Sequence, residues 1–114
     1  MIRMYGINNC DTVKKTKKWL EDRNADYEFH DYKQQGCPAE LANIFLKQFP
    51  LEQVINKRGT TWRKLPEPVK ENLNQKTAKV LMQENPSLIK RPILDIDSQW
   101  VIGFDIESLS TLIK

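Results

Sequence analysis

The chain has little cysteine and little histidine. Cys10, Cys37 and His30 are its full complement of those residues in 114 positions. Two cysteines make no disulfide framework, and without a C-x-x-C pair there is neither a thioredoxin-type dithiol nor a cysteine zinc site. One histidine does not make a metal centre, which needs several convergent ligands. His30 stands in Tyr27-Glu28-Phe29-His30-Asp31-Tyr32, whose alternation reads as a strand, and a structural role is expected for it. Long apolar runs are also missing. None comes near the roughly 20 residues that span a bilayer, and Met1 to Tyr5 lacks the apolar stretch of a secretion signal. A cytoplasmic location with free thiols and no membrane partner is expected. The net charge of +3 is mild. The cluster Lys14, Lys15, Lys17 and Lys18 reads as a solvated helix face that draws small anions toward a neighbouring site, with no direct nucleic-acid partner.

Apolar residues make up 39% of the chain and charged residues 29%, a composition for one compact α/β domain. Residues 2–5 read as a strand. Residues 11–23 read as a helix with Val13, Thr16, Trp19 and Leu20 inward, and residues 27–32 as a second strand, together the size of a βαβ unit. A helical block follows. Pro38 suits a helix start, and Leu41, Ile44, Phe45 and Phe49 are spaced for a buried face over 38–48. A short helical piece over 51–56 is expected to close at Gly59 with positive φ, leaving Lys57 and Arg58 at its edge and 60–65 as a link. Two more helical pieces cover 66–73 and 77–84, where Asn85-Pro86 stops the second. Ile93 to Ile96 and Trp100 to Ile102 read as strands joined at the turn Asp97-Ser98. Gly103 breaks the second strand, and Asp105 caps a last helix carrying Ile106, Leu109, Leu112 and Ile113. The order is βαβ, helices, then ββα, without internal repeats. It is what a thioredoxin-like domain with a mixed four-stranded sheet shows when helices are inserted between its halves. In such folds a cis-proline beside the reactive cysteine would fall at Pro92.

Cys10 carries the chemistry. It lies between the first strand and the first helix, where unpaired N–H groups and the helix dipole favour a negative charge. The thiolate is the nucleophile, and such positions lower a cysteine pKa from about 8.5. Lys14, four residues on, shares its helix face and adds positive charge. Thr12 either offers its hydroxyl to the sulfur or caps the helix. Cys37, beside Pro38, is a second thiol whose pairing with Cys10 depends on Cα separation.

Four separated segments together resemble the arsenate-reductase-like (ArsC/Spx) family, and within it the YffB branch. They are Tyr5-Gly6-x-x-x-Cys10-Asp11-Thr12-x-Lys14-Lys15, Asn56-Lys57-Arg58-Gly59-Thr60-Thr61-Trp62-Arg63, Lys90-Arg91-Pro92-Ile93 and Gly103-Phe104. The resemblance covers essentially the whole chain. It implies one domain over 1–114, with a thioredoxin-like core at about 1–35 and 88–114 and a helical insertion at about 38–86. It also implies that Cys10 is the nucleophile, with Thr12 and Lys14 beside it, and that Arg58, Arg91, Pro92, Gly103 and Phe104 line a substrate or glutathione site.

The chain departs from its relatives in three places. Arsenate reductases hold the oxyanion with three arginines; the third falls at about Phe104, and the histidine preceding their cysteine falls at Gly6. The Spx switch C-x-x-C is absent, because Asp11, Thr12 and Val13 follow Cys10. The resemblance to the YffB branch implies a glutathione-dependent thiol reductase with one nucleophilic cysteine. Glutathione is then the co-substrate, a small disulfide or protein thiol the partner, a monomer the working form, and no metal is needed. The alternatives are a Spx-like protein-binding regulator of transcription and an arsenate reductase with an incomplete anion site.

Overall fold

A computed structural model describes residues 1–113, and these divide into two compact units, residues 1–35 with 91–113 and residues 36–90. The first unit is built on a four-stranded mixed sheet. Strand β1 (Ile2–Gly6) pairs parallel with β2 (Tyr27–Asp31) and antiparallel with β3 (Ile93–Ile96), which pairs antiparallel with β4 (Gln99–Ile102). The strand order is β2-β1-β3-β4. The parallel pair requires a crossover, which helix α1 (Asp11–Asp22) supplies.

Alternation along the strands sets the layers. Ile2 and Met4 on β1, Leu94 and Ile96 on β3 and Val101 on β4 form one cluster with Val13, Trp19 and Leu20 of α1. Leu109, from the last helix α8 (Ile106–Leu112), completes it. Asp105 caps α8, accepting the Ser108 N–H at 3.2 Å. The opposite face is polar and aromatic. Arg3 pairs with Glu28 at 3.6 Å. The ring of His30 lies 5.2 Å from that of Tyr5 and 5.7 Å from that of Tyr32, and Trp100 stacks on Tyr5 at 6.2 Å. Among the described residues no group of three or more histidine, cysteine or acidic side chains could hold a metal ion. Nor is any helix among them long and apolar enough to cross a membrane. A one-turn helix α2 (Tyr32–Gln35) follows β2.

The second unit is helical: α3 (Ala39–Gln48), α4 (Leu51–Val54), α5 (Thr60–Arg63), α6 (Glu67–Glu71), α7 (Gln75–Glu84) and a 3₁₀ turn (Pro86–Leu88). Helix α3 packs on α7, with Ala42, Phe45 and Leu46 buried on one and Ala78, Leu81 and Met82 on the other. The backbone beyond α4 is tied to the end of the unit by Asn56 N–H to Leu88 C=O (2.7 Å) and Lys90 N–H to Val54 C=O (2.8 Å).

Four expectations need correction in this unit. Gly59 has φ −82° and ψ 163° and precedes α5 instead of closing α4. Glycine fits either side of a helix end, so its presence did not fix which helix it served. Residues 60–63 are accordingly helical and not a link. Ile44 is 40% exposed, because the buried stripe of α3 runs through Ala42, Phe45 and Leu46. Helix α7 starts two residues earlier than its apolar periodicity indicates. Asn74 accepts the Thr77 N–H at 3.0 Å while the Thr77 hydroxyl accepts the Asn74 N–H at 2.9 Å, a reciprocal cap made by polar residues outside the stripe.

Candidate functional site

Cys10 occupies the cap position of α1, with φ −117° and ψ 129°. Its carbonyl accepts the first helical hydrogen bond, from Lys14 N–H at 2.9 Å. At a cap the side chain faces the free amides of the first turn. The sulfur is half-buried, and burial, the largest single influence, pushes its pKa up. The N–H of Val13, a hydrogen bond from the Arg91 side chain, the N–H of Thr12 and the charge of Arg91 act against this, and the net result is a thiol more acidic than an ordinary cysteine. Thr12 therefore serves the sulfur through its backbone. Lys14 is exposed and is not among the groups that lower the pKa; the cation at the sulfur is Arg91.

Two backbone features mark the segment that carries Arg91. The Arg91–Pro92 peptide bond is cis, at the start of the chain segment that enters β3. Gly103 (φ +77°) donates its N–H to the Pro92 carbonyl at 2.7 Å, so the end of β4 fastens the proline loop. A positive φ at that point favours glycine. Phe104 packs half-buried on the same apolar cluster that Cys10 touches.

Gly6 closes the arrangement from below. A Cβ there would lie 2.9 Å from Val13 Cγ2, 3.7 Å from Phe29 Cε1 and 3.9 Å from Arg91 Cβ. Without a side chain at position 6, β1 comes up against Val13 in the first turn of α1, and a larger residue there would have to push Val13 aside. The sequence motif marks Gly6 but not this reason for it.

The first unit thus brings together Cys10, Thr12, Arg91, Pro92 and Gly103. Arg58 belongs to the second unit, where it is exposed and its N–H is held by Asn56 Oδ1 at 3.1 Å. Cys37 is also in the second unit. It is 4% exposed, burial pushes its thiol up to about 12, and its sulfur lies 4.0 Å from the Pro38 carbonyl oxygen. Both cysteines are free. Lys17, expected on the solvated helix face, is instead half-buried, with its ammonium 3.8 Å from the centre of the Phe29 ring. Its place one turn beyond Lys14 was the available signal.

Comparison with known proteins bears on the same residues. The ArsC family model matches residues 5–112. An uncharacterised protein of Haemophilus influenzae is 48% identical over 105 residues, covering 92% of each chain. A solved structure named YffB protein superposes with a TM-score of 0.96 at 36% identity, over 100% of both chains. The regulatory protein MgsR of Bacillus subtilis is 27% identical over 99% of this chain and 90% of its own.

Proposed function

We propose that this chain, which belongs to the ArsC family, is a glutathione-dependent thiol reductase that works through Cys10 alone. The observation that carries the reading is the balance at the Cys10 sulfur, where two first-turn amides and Arg91 outweigh burial. A half-buried, low-pKa thiol is the form in which a cysteine attacks disulfides.

The Cys10 thiolate attacks one sulfur of a disulfide R–S–S–R′. The S–S bond breaks, R′–S⁻ leaves and takes a proton, and Cys10 is joined to R. A glutathione thiolate then attacks the Cys10 sulfur and expels R–S⁻. A second glutathione attacks the glutathionyl sulfur, giving glutathione disulfide and returning the Cys10 thiolate. Two electrons pass from two glutathiones to one disulfide. Arg91 and the amides of Thr12 and Val13 stabilise the thiolate as nucleophile and again as leaving group. Arg58 keeps the role that the family pattern implies, holding a glutathione carboxylate. The reading assigns the work to the reducing cytoplasm and needs no metal.

Glutathione-coupled reduction of a small disulfide tests it. Turnover by the wild type that falls to background in Cys10→Ser is the expected result; wild-type protein without turnover removes the enzyme reading. The MgsR likeness favours a second reading, a protein-binding regulator, whose phenotypes would survive Cys10→Ser. Arsenate turnover is expected to be negligible, because no arginine stands at position 104 and glycine stands at position 6, where a side chain would have to displace Val13.

A further inference from the structure

Of the lysines on α1, Lys17 stands apart in its burial and its contacts. Lys14, Lys15 and Lys18 are exposed, and Lys18 pairs with Asp22 at 3.4 Å. Lys17 is half-buried. Its Nζ donates to Asn8 Oδ1 at 2.6 Å and lies 3.8 Å from the centre of the Phe29 ring, within cation–π range. Asn8 sits in the turn that carries the chain from β1 to Cys10. Phe29 is on β2, and its ring edge is the atom a Cβ on Gly6 would meet at 3.7 Å. One ammonium therefore joins the helix, the turn before the cysteine and the strand beside it.

From this geometry we propose that Lys17 is a positioning residue for Cys10. It fixes the turn through Asn8, and the turn fixes where Sγ stands relative to the first-turn amides and Arg91. Hydrogen bonds weaken steeply with misalignment, and a site of this kind must be held to within about 0.5 Å. The three residues between Gly6 and Cys10 are polar or half-exposed and have little packing of their own to hold them. The proposal deepens the reading of Cys10 as the reacting group and rests on it, but the order of the turn can be measured without turnover.

The test uses Asn8→Ala, Lys17→Met, their double variant and Lys17→Arg in the full chain. Two quantities are read: the pH profile of Cys10 alkylation by iodoacetamide, and hydrogen exchange at the Asn9 and Cys10 amides. Asn8 is not among the positive-φ residues, so alanine fits its backbone, and the exposed Asn8 variant carries the test even if a Lys17 variant folds poorly. Asn8→Ala and Lys17→Met are each expected to slow alkylation at neutral pH about two- to fivefold, from the worth of one exposed cation contact. Each should move the profile to higher pH and speed exchange at both amides. The double variant should be no worse than the worse single one, and Lys17→Arg should restore most of the wild-type profile. The proposal is overturned by an Asn8→Ala protein with a wild-type profile, since the lysine would then act by charge alone. Additive single effects, or faster exchange with an unchanged profile, overturn it too. Loosened turns in a protein without glutathione turnover would remove the functional reading and leave the positioning role. Turnover that persists with both single variants indistinguishable from wild type would do the reverse.

Discussion

Cys10 and Cys37 both stand at the approach to a helix, and the two sites treat them in opposite ways. Cys10 is the cap residue of α1, so the Val13 and Thr12 amides act on its sulfur and Arg91 adds a cation. Cys37 lies one residue further out, with Pro38 taking the cap position of α3. It is buried, and the one influence on the acidity of its thiol is that burial, which raises it to about 12. An offset of one residue, and a cation brought or not brought, separates a thiol made more acidic from one made less so. Proximity to a helix start activates a thiol only when the side chain faces the free amides.

The largest expected difference is in function. Cys10→Ser should abolish glutathione-coupled turnover and Cys37→Ser should leave it near wild type, measured by glutathione disulfide formation. Equal losses would erase the contrast. Next is Arg91. A hydrogen bond to a charged group contributes about 1.5–3 kcal/mol, so Arg91→Met should slow Cys10 alkylation at neutral pH by roughly tenfold or more, with Arg91→Lys in between. Lys14→Ala should change the same rate by less than about twofold, as expected for an exposed charge in water; a larger effect would return to Lys14 the role that the spacing implied.

The third difference is in stability against pH. Folded Cys37 keeps its proton to about 12, whereas an unfolded thiol loses it near 8.5. Above about 8.5 the unfolded chain binds fewer protons, so stability falls with rising pH by up to about 1.4 kcal/mol per unit. Cys10 has the opposite sign. Its folded pKa is lowered, so its contribution is present above the unfolded value and is lost as pH falls through the folded one. Denaturant unfolding of the wild type beside Cys37→Ala and Cys10→Ala, from neutral pH to about pH 10, should show the first variant flattening the decline above about pH 8.5 and the second losing a rise in stability below it. The smallest effect concerns the floor of the site. Gly6→Ala must push Val13 aside, an overpacking cost of about 1–3 kcal/mol, with a smaller fall in Cys10 reactivity.

Much of the fold was legible because it rests on local signals. The stripe Val13, Thr16, Trp19 and Leu20 is buried as its spacing requires. Asp97 and Ser98, at φ 49° and 70°, form the turn between the last two strands, and Asp105 caps α8. The helical unit was less legible because its boundaries depend on polar caps and on which face meets a neighbour. Asn74 with Thr77, the placement of Gly59 and the exposure of Ile44 are decided there. At the site, the cysteine was readable from its place between strand and helix, but the source of its positive charge was not. Helical spacing favours Lys14, while Arg91 arrives from the far end of the chain through the pairing of β1 with β3. Lys17 looked like one more exposed lysine because neither Asn8 nor Phe29 is near it in sequence.

The central claim is that the environment of Cys10 makes its thiol more acidic while that of Cys37 makes its thiol less so. Alkylation of both thiols in the folded protein, followed by mass spectrometry from about pH 5 to pH 10, tests it most directly. Cys10 is expected to react with a midpoint well below the ordinary value of about 8.5 and Cys37 to stay unmodified throughout. A Cys10 midpoint at or above about 8.5, or two thiols reacting alike, would contradict it.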